Sequence, residues 1–342
     1  MASRVGALVW AAIASIAVAA CGRGEARIET AADTAASESG VPVELLLAMA
    51  YVESRATTDG PGQWIPLGSR HAARRGAALI GAAVEELEDP GAVLRAAAAL
   101  LADAARETGV GRGAALAAWR PALERFAGGR DALARELFAD QVFTILARGF
   151  ETATGVVRVS DLEPSVTQGA RFPQRPAQIA GAAFTPYMPL AETAQRPPAA
   201  DARHPRFIVV HTMQSTLPVI LDYFRRPGTT VGAHYVVDSV AGTTVQMADE
   251  RLVVFHDACF NEESIGIEHE GYVEAGKRWY SDEQLRASAR LVRDIARRND
   301  IPLDRSHILG HGEAPDCSDH TDPGPDWDWA RFMADVEAAD AE

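Results

Sequence analysis

Apolar residues recur at helical spacing through the first half of the chain, from about Ser39 to Phe150, in "VPVELLLAMAYVESR", "VLRAAAALLADAARETG" and "DALARELFADQVFTILARGF". Side chains three or four positions apart share one helix face, so this half reads as all-α. The pattern breaks between Ser160 and Pro205, where eight prolines and few apolar runs predict an extended linker or a strap on a domain surface. Beyond it the period shortens. "RFIVVHT", "AHYVVDS", "TTVQMAD" and "SIGIEHEG" read as strands, and the Val-Ala-Gly turn between the middle pair predicts a hairpin. Helices are predicted at "TLPVILDYFRR", at "SDEQLRASARLVRDIARRND", where Ser281 and Gln284 have capping-box spacing, and at "WDWARFMADVEAA". The expected fold class is α/β, a mixed sheet flanked by helices, preceded by a separate all-α N-terminal domain.

Length and composition narrow this only slightly. The 342 residues suffice for about two domains, and 47% hydrophobic with 23% charged residues is ordinary for a globular chain. A net charge of -14, with no Lys/Arg run, argues against a nucleic-acid binder, because phosphates would be repelled. The first residues change the picture more. "MASRVGALVWAAIASIAVAACG" has one basic residue, Arg4, then an apolar stretch from Val5 to Ala20 that is short for a spanning helix and reads as an export signal. Its end, "VAAC", resembles the bacterial lipoprotein signal box, which implies a diacylglyceryl anchor on Cys21; plain secretory cleavage is the alternative. Either places the protein outside the cytoplasm. Cys259 and Cys317 then remain as an even pair in a disulfide-permissive compartment, and a bridge between them is one arrangement that spacing alone does not decide.

Eight of the nine histidines lie after residue 200, which directs attention to the second half. His211 ends an apolar strand, where active-site groups of α/β proteins tend to sit. His311 lies just past a second short apolar stretch, and Asp322 comes later in the same loop beside "DPGP", whose prolines and glycine stiffen the backbone. Two imidazoles and one carboxylate on rigid supports are what a catalytic zinc needs, with the fourth position left to water. Any one of these histidines alone is also readable as a locally bonded surface or core residue, and HExxH is absent.

Five ordered blocks carry a resemblance: "FIVVHT", "GAHYVVD", "GTTVQMADE", "VFHDACFNEESIGIEHEG" and "GHGEAPDCSDHTDPGPDWDW". Over about Arg206 to Phe332 they resemble the zinc-dependent N-acetylmuramoyl-L-alanine amidase family shared with bacteriophage lysozyme-amidases and peptidoglycan recognition proteins. The resemblance implies Zn2+ as cofactor, His211, His311 and Asp322 as metal ligands, Glu268 as catalytic base, and His320 as a partner of the scissile carbonyl. It places His234 and His256 along the groove or hydrogen-bonded behind the ligands, and favours a disulfide or free thiol for Cys317. Ala233 stands where some phage members carry a catalytic tyrosine, so the proton-transfer role moves wholly to Glu268. His269 would point to the opposite strand face from Glu268 and reads as structural.

In the first half, "ESGVPVELLLAMAYVESR" resembles the start of lysozyme-like lytic transglycosylase domains, in which a helix ends on a catalytic glutamate followed by serine; Glu53 and Ser54 match that pair. "GQWIPLGSR" then departs from the Gly-Met-Gln-like segment of active members. The resemblance therefore implies a domain that positions or binds glycan, with Glu53 as a second candidate site. The chain divides into a signal peptide at 1–21, a helical domain at 30–155, a Pro-rich linker at 156–205 and a zinc amidase domain at 206–342. The expected protein is a monomeric, lipid-anchored hydrolase of the cell envelope, in outer membrane or periplasm. It would cut the bond between N-acetylmuramic acid and L-alanine in peptidoglycan or muropeptides. A non-catalytic peptidoglycan-binding lipoprotein is the alternative.

Overall fold

The computed structural model describes residues 23–55, 70–128, 131–152, 154–159, 162, 176–199, 203–314 and 319–339. The first half is helical: α1 (Arg23–Ser39), α2 (Val43–Ser54), α3 (Arg70–Ile80), α4 (Pro90–Thr108), α5 (Arg120–Ala127) and α6 (Ala132–Arg148). Local chemistry sets the ends. Asp89 and Asp131 cap α4 and α6 by accepting from backbone amides of the first turn, Pro90 needs no amide partner there, and Gly109 closes α4 in the left-handed region. Leu45, Leu46, Met49 and Val52 of α2 are all buried, packed between α1 and α6, so α2 is the core helix of the bundle.

Two features differ from the expected separate all-α unit. A hairpin, β1 (Phe150–Thr152) with β2 (Gly155–Val157), comes directly after α6, because Gly149 stops the helix and the β-branched residues beyond it pair across a turn. The helical half also shares a core with the second half of the chain. Ala134 and Leu137 of α6 are buried with Leu217, Leu221 and Phe224, an apolar face that a free-standing bundle would leave in water.

The second half is a five-stranded sheet in the order β6-β5-β8-β4-β9. Its strands are β4 (Phe207–Thr212), β5 (Tyr235–Val237), β6 (Thr244–Gln246), β8 (Ser264–His269) and β9 (Ile308–Gly310). β5, β8, β4 and β9 run parallel, and β6 closes the edge as the antiparallel arm of the β5–β6 hairpin. Side-chain alternation divides each strand. Ile208, Val210, Ile265 and Ile267 face α8 (Asp282–Asn299) and α9 (Trp329–Ala338), while Val236 and Val245 face α7 (Leu217–Phe224) on the other side. Ser281 caps α8 by accepting from the Gln284 amide. The Gln284 side chain instead donates to the Val237 and Glu270 carbonyls, so that helix start is tied to the sheet.

The described part of the Pro-rich stretch packs as part of this half. Met188 and Leu190 donate backbone amides to Gln246 and Met247, and Gln195–Arg196 (β3) pairs with Val253–Val254 (β7). Met188, Leu190 and Ala194 are buried against α7. No helix among the described residues is long and apolar enough to cross a membrane.

Candidate metal centre

Strand register assembles the site. β4 and β8 pair His211 directly with Glu268, and in-register residues of neighbouring strands face the same side of a sheet. β4 and β9 pair Val210 with Gly310, which brings the next residues, His211 and His311, together at the carboxyl ends of the strands. Asp322 arrives from the loop after β9. Its backbone oxygen accepts from the Gly312 amide at 3.0 Å and its Oδ2 from the Thr212 amide at 3.1 Å, so the carboxylate is anchored to both strand ends.

Three donor groups converge here. The Nδ1 atoms of His211 and His311 lie 3.0 Å apart, Asp322 Oδ1 lies 3.2 Å from His311 Nδ1, and Oδ2 lies 3.5 Å from His211 Nδ1. Ligand atoms about 2.0–2.1 Å from a tetrahedral zinc are separated by about 3.3 Å, so these three fit that ion. Further side chains stand behind their other ring nitrogens. His256 Nδ1 lies 3.0 Å from His211 Nε2, and Asp257 Oδ1 lies 3.3 Å from His311 Nε2. A carboxylate behind a ligating histidine fixes its tautomer and raises its basicity.

This crowding sets the electrostatics. Burial, helped by the neighbouring His311, lowers the His211 pKa against the opposing pull of Asp322 and Asp257. Burial also pulls on His311, but the Asp257 and Asp322 carboxylates outweigh it and carry the ring up to about 9. Asp322, opposed by burial but bonded to both imidazoles, is held well below the usual carboxylate range. Glu268 moves the other way, up to about 8, through burial and the nearby Asp322 charge, with His311 opposing. Its Oε2 is buried and has no hydrogen-bond partner among the described residues. An unpaired carboxyl oxygen facing a cleft is costly to keep, and such groups mark places where protons are moved.

The cleft has a volume of about 790 Å³ and is lined by the three donors, Glu268, His256, Asp257 and His320, with Met213, Gln214 and Phe224 along its wall. His320 stacks on His311 at 4.1 Å and its Nδ1 lies 3.3 Å from Asp322 Oδ1. His234 is fully buried away from the cleft: its Nδ1 accepts from the Gly266 amide, and Nε2 meets Leu252 O and the Arg203 guanidinium. His269 occupies the opposite strand face, between the His211 carbonyl and Ser288 Oγ and edge-on to Trp327. Cys259 is disulfide-bonded, while Cys317 and Cys21 lie outside the described residues. Glu53 is not part of this cleft; burial and the Glu270 charge raise its pKa to about 8, with Arg55 opposing.

Several contributing residues gave no signal along the chain. Asp257 sits inside "FHDACF", where the cysteine drew attention. Arg203, in the Pro-rich stretch, donates to the Glu250, Asn261, Glu262 and Ser264 carbonyls under the site. Tyr280 bonds Thr212 Oγ1 and the Pro323 carbonyl, joining the Asp322 loop to β4. Each acts through partners distant in sequence, so local spacing could not reveal it.

Residues 201–325 match the family described as N-acetylmuramoyl-L-alanine amidase. N-acetylmuramoyl-L-alanine amidase A of Achromobacter lyticus is 27% identical over 141 residues, covering 36% of this chain and 79% of that protein. Among solved structures, a selenomethionine derivative of AmpD is similar at 27% identity and a TM-score of 0.38, over 45% of this chain and 96% of the other. The E. coli amidase AmiD, in complex with anhydro-N-acetylmuramic acid-L-Ala-D-gamma-Glu-L-Lys, is similar at 20% identity and a TM-score of 0.34, over 41% and 60%.

Proposed function

We propose that the second half is a zinc-dependent peptidoglycan amidase that hydrolyses the bond between N-acetylmuramic acid and the L-alanine of the stem peptide. The observation that carries this is the pairing, inside the matched segment, of three converging donor groups with Glu268 on the adjacent strand, whose buried Oε2 has no hydrogen-bond partner among the described residues. His211, His311 and Asp322 would hold the ion. Bound there, zinc lowers the pKa of water to about 7 and polarises the amide carbonyl.

The rest is the work of the side chains. Glu268 takes the proton of the attacking water and returns it to the departing amine of L-alanine; a carboxyl raised to about 8 in the metal-free site is a poor base, and a neighbouring cation restores its ionised form. His320, stacked on His311 at the cleft mouth, donates to the oxygen that gains charge in the tetrahedral state. His256 and Asp257 hold the two ligating rings in orientation. The Cys21 signal box supports a lipid anchor, with the enzyme working in the cell envelope on peptidoglycan or its fragments.

Mass spectrometry of purified peptidoglycan digested by the zinc-loaded protein tests this. Free stem peptides, lost on chelation and restored by zinc, are expected. Anhydromuramoyl sugars would instead assign chemistry to Glu53, and unchanged material would sink the catalytic reading in favour of a binding module.

A further inference from the structure

The helical half reaches the cleft through one buried carboxylate. Glu270 lies two residues beyond Glu268 and is fully buried. Its Oε1 accepts from the amide of Leu217, the first residue of α7, and its Oε2 from the amide and hydroxyl of Ser239, all at 2.8 Å. Both oxygens also accept from Gln141 Nε2 of α6, at 3.1 and 3.0 Å. Arg55, in the left-handed turn that ends α2, donates to Ser239 Oγ and lies 3.9 Å over the Trp279 ring. Glu270 is also faced by the acidic Asp238 and Glu53, and Arg55 is the cation that opposes this cluster. A buried charge whose partner is removed is strongly destabilising.

From Glu270 the connections lead straight into the cleft wall. The Met213 amide donates to the His269 carbonyl at 2.9 Å, and Ser215 and Gly271 exchange backbone bonds at 3.2 Å. Met213 and Gln214, between these anchors, line the cleft, and Gln214 sits at φ 49°, a conformation its neighbours must hold in place. Glu270 therefore lies between two backbone anchors of this wall and caps α7, the helix just beyond it.

We propose that Arg55 and Gln141 are positioning residues for the amidase: the helical half clamps Glu270 and so holds the Met213–Gln214 wall in the shape that receives substrate. This rests on the amidase reading of the cleft. It gives the helical half a role that needs no glycan chemistry at Glu53.

The test uses the full-length protein with Arg55→Met and, separately, Gln141→Leu, assayed on a soluble muropeptide well below each variant's unfolding temperature. Arg55→Met is expected to raise KM about tenfold while kcat and zinc affinity stay within about threefold, a split that global destabilisation does not produce. An unchanged KM in folded Arg55→Met overturns the proposal. Should Arg55→Met fail to fold, Gln141→Leu decides by the same KM criterion, with a rise of about threefold expected. Hydrogen exchange at the Leu217 and Ser239 amides, expected to quicken in either single variant, reads the clamp independently of turnover. If the parent protein has no amidase activity, the function fails while this readout still judges the clamp; unchanged exchange would refute it.

Discussion

Gly266 lies against His256, the ring behind the candidate ligand His211, and a single methyl there tests the whole arrangement. A Cβ on Gly266 would lie 2.6 Å from Cγ, 2.7 Å from Nδ1 and 2.9 Å from Cδ2 of His256. Carbon contacts are comfortable near 3.5–4.0 Å, so the ring must retreat by about 1 Å. His256 Nδ1 now lies 3.0 Å from His211 Nε2 and Nε2 lies 3.2 Å from Ser264 Oγ; a retreat of that size breaks the first contact. Overpacking of about 1–3 kcal/mol and a lost hydrogen bond of about 1 kcal/mol together predict that Gly266→Ala destabilises the protein by roughly 2–4 kcal/mol. Losing the group behind a ligating histidine should also weaken zinc binding by about 10- to 100-fold. Urea denaturation and chelator competition measure the two effects. The decisive comparison is His256→Ala, where the ring is gone and the added methyl has space: there Gly266→Ala should cost less than about 1 kcal/mol. Equal costs in both backgrounds would refute the idea that Gly266 is required by the His256 ring.

The same geometry predicts two further outcomes. Glu268→Gln should lower kcat by about 10²- to 10⁴-fold with zinc affinity nearly intact, as expected for a proton-transfer group that is not a ligand; steady-state kinetics with a metal-content assay checks this, and retained turnover would remove Glu268 from the mechanism. For the metal-free protein, Glu53 has a folded pKa of about 8 against an ordinary 4.5, so its neutral form favours the folded state. That contribution is complete below about pH 4.5 and is lost as pH rises through about 8, so Glu53→Gln should remove up to about 1.4 kcal/mol per pH unit of the decline between those limits. Urea midpoints for parent and variant should coincide at the lower end of that range and separate as pH rises, with the variant the more stable at the upper end; parallel curves would mean that Glu53 is not held neutral.

Much of the site was legible along the chain because it rests on local rules. A period of two puts Glu268 and His269 on opposite strand faces, and a histidine ending an apolar strand marks the sheet edge where His211 meets His311. The capping box at Ser281 likewise needs only four residues to be read, although Gln284 spends its side chain on the sheet. Asp257 was not legible: it reaches His311, 54 positions away, and nothing in "FHDACF" sets it apart from any other loop aspartate. The same is true of Arg203, one of four arginines in the Pro-rich stretch, whose carbonyl partners are supplied by a different part of the chain.

The sequence by itself determined the helical first half, the α/β second half with most of its strands and helices, and the donor-type residues His211, His311 and Asp322 that the fold brings together beside Glu268. Those features arise from periodicity, capping and side-chain chemistry, which act over a few residues. Only the tertiary structure decided how the halves meet. Gln141 reaches Glu270 across 129 positions and Arg55 reaches Ser239 across 184, and the described part of the Pro-rich stretch became part of the core by pairing with segments later in the chain. Such contacts leave no local pattern, because what selects them is the burial of charge and apolar surface on both partners at once.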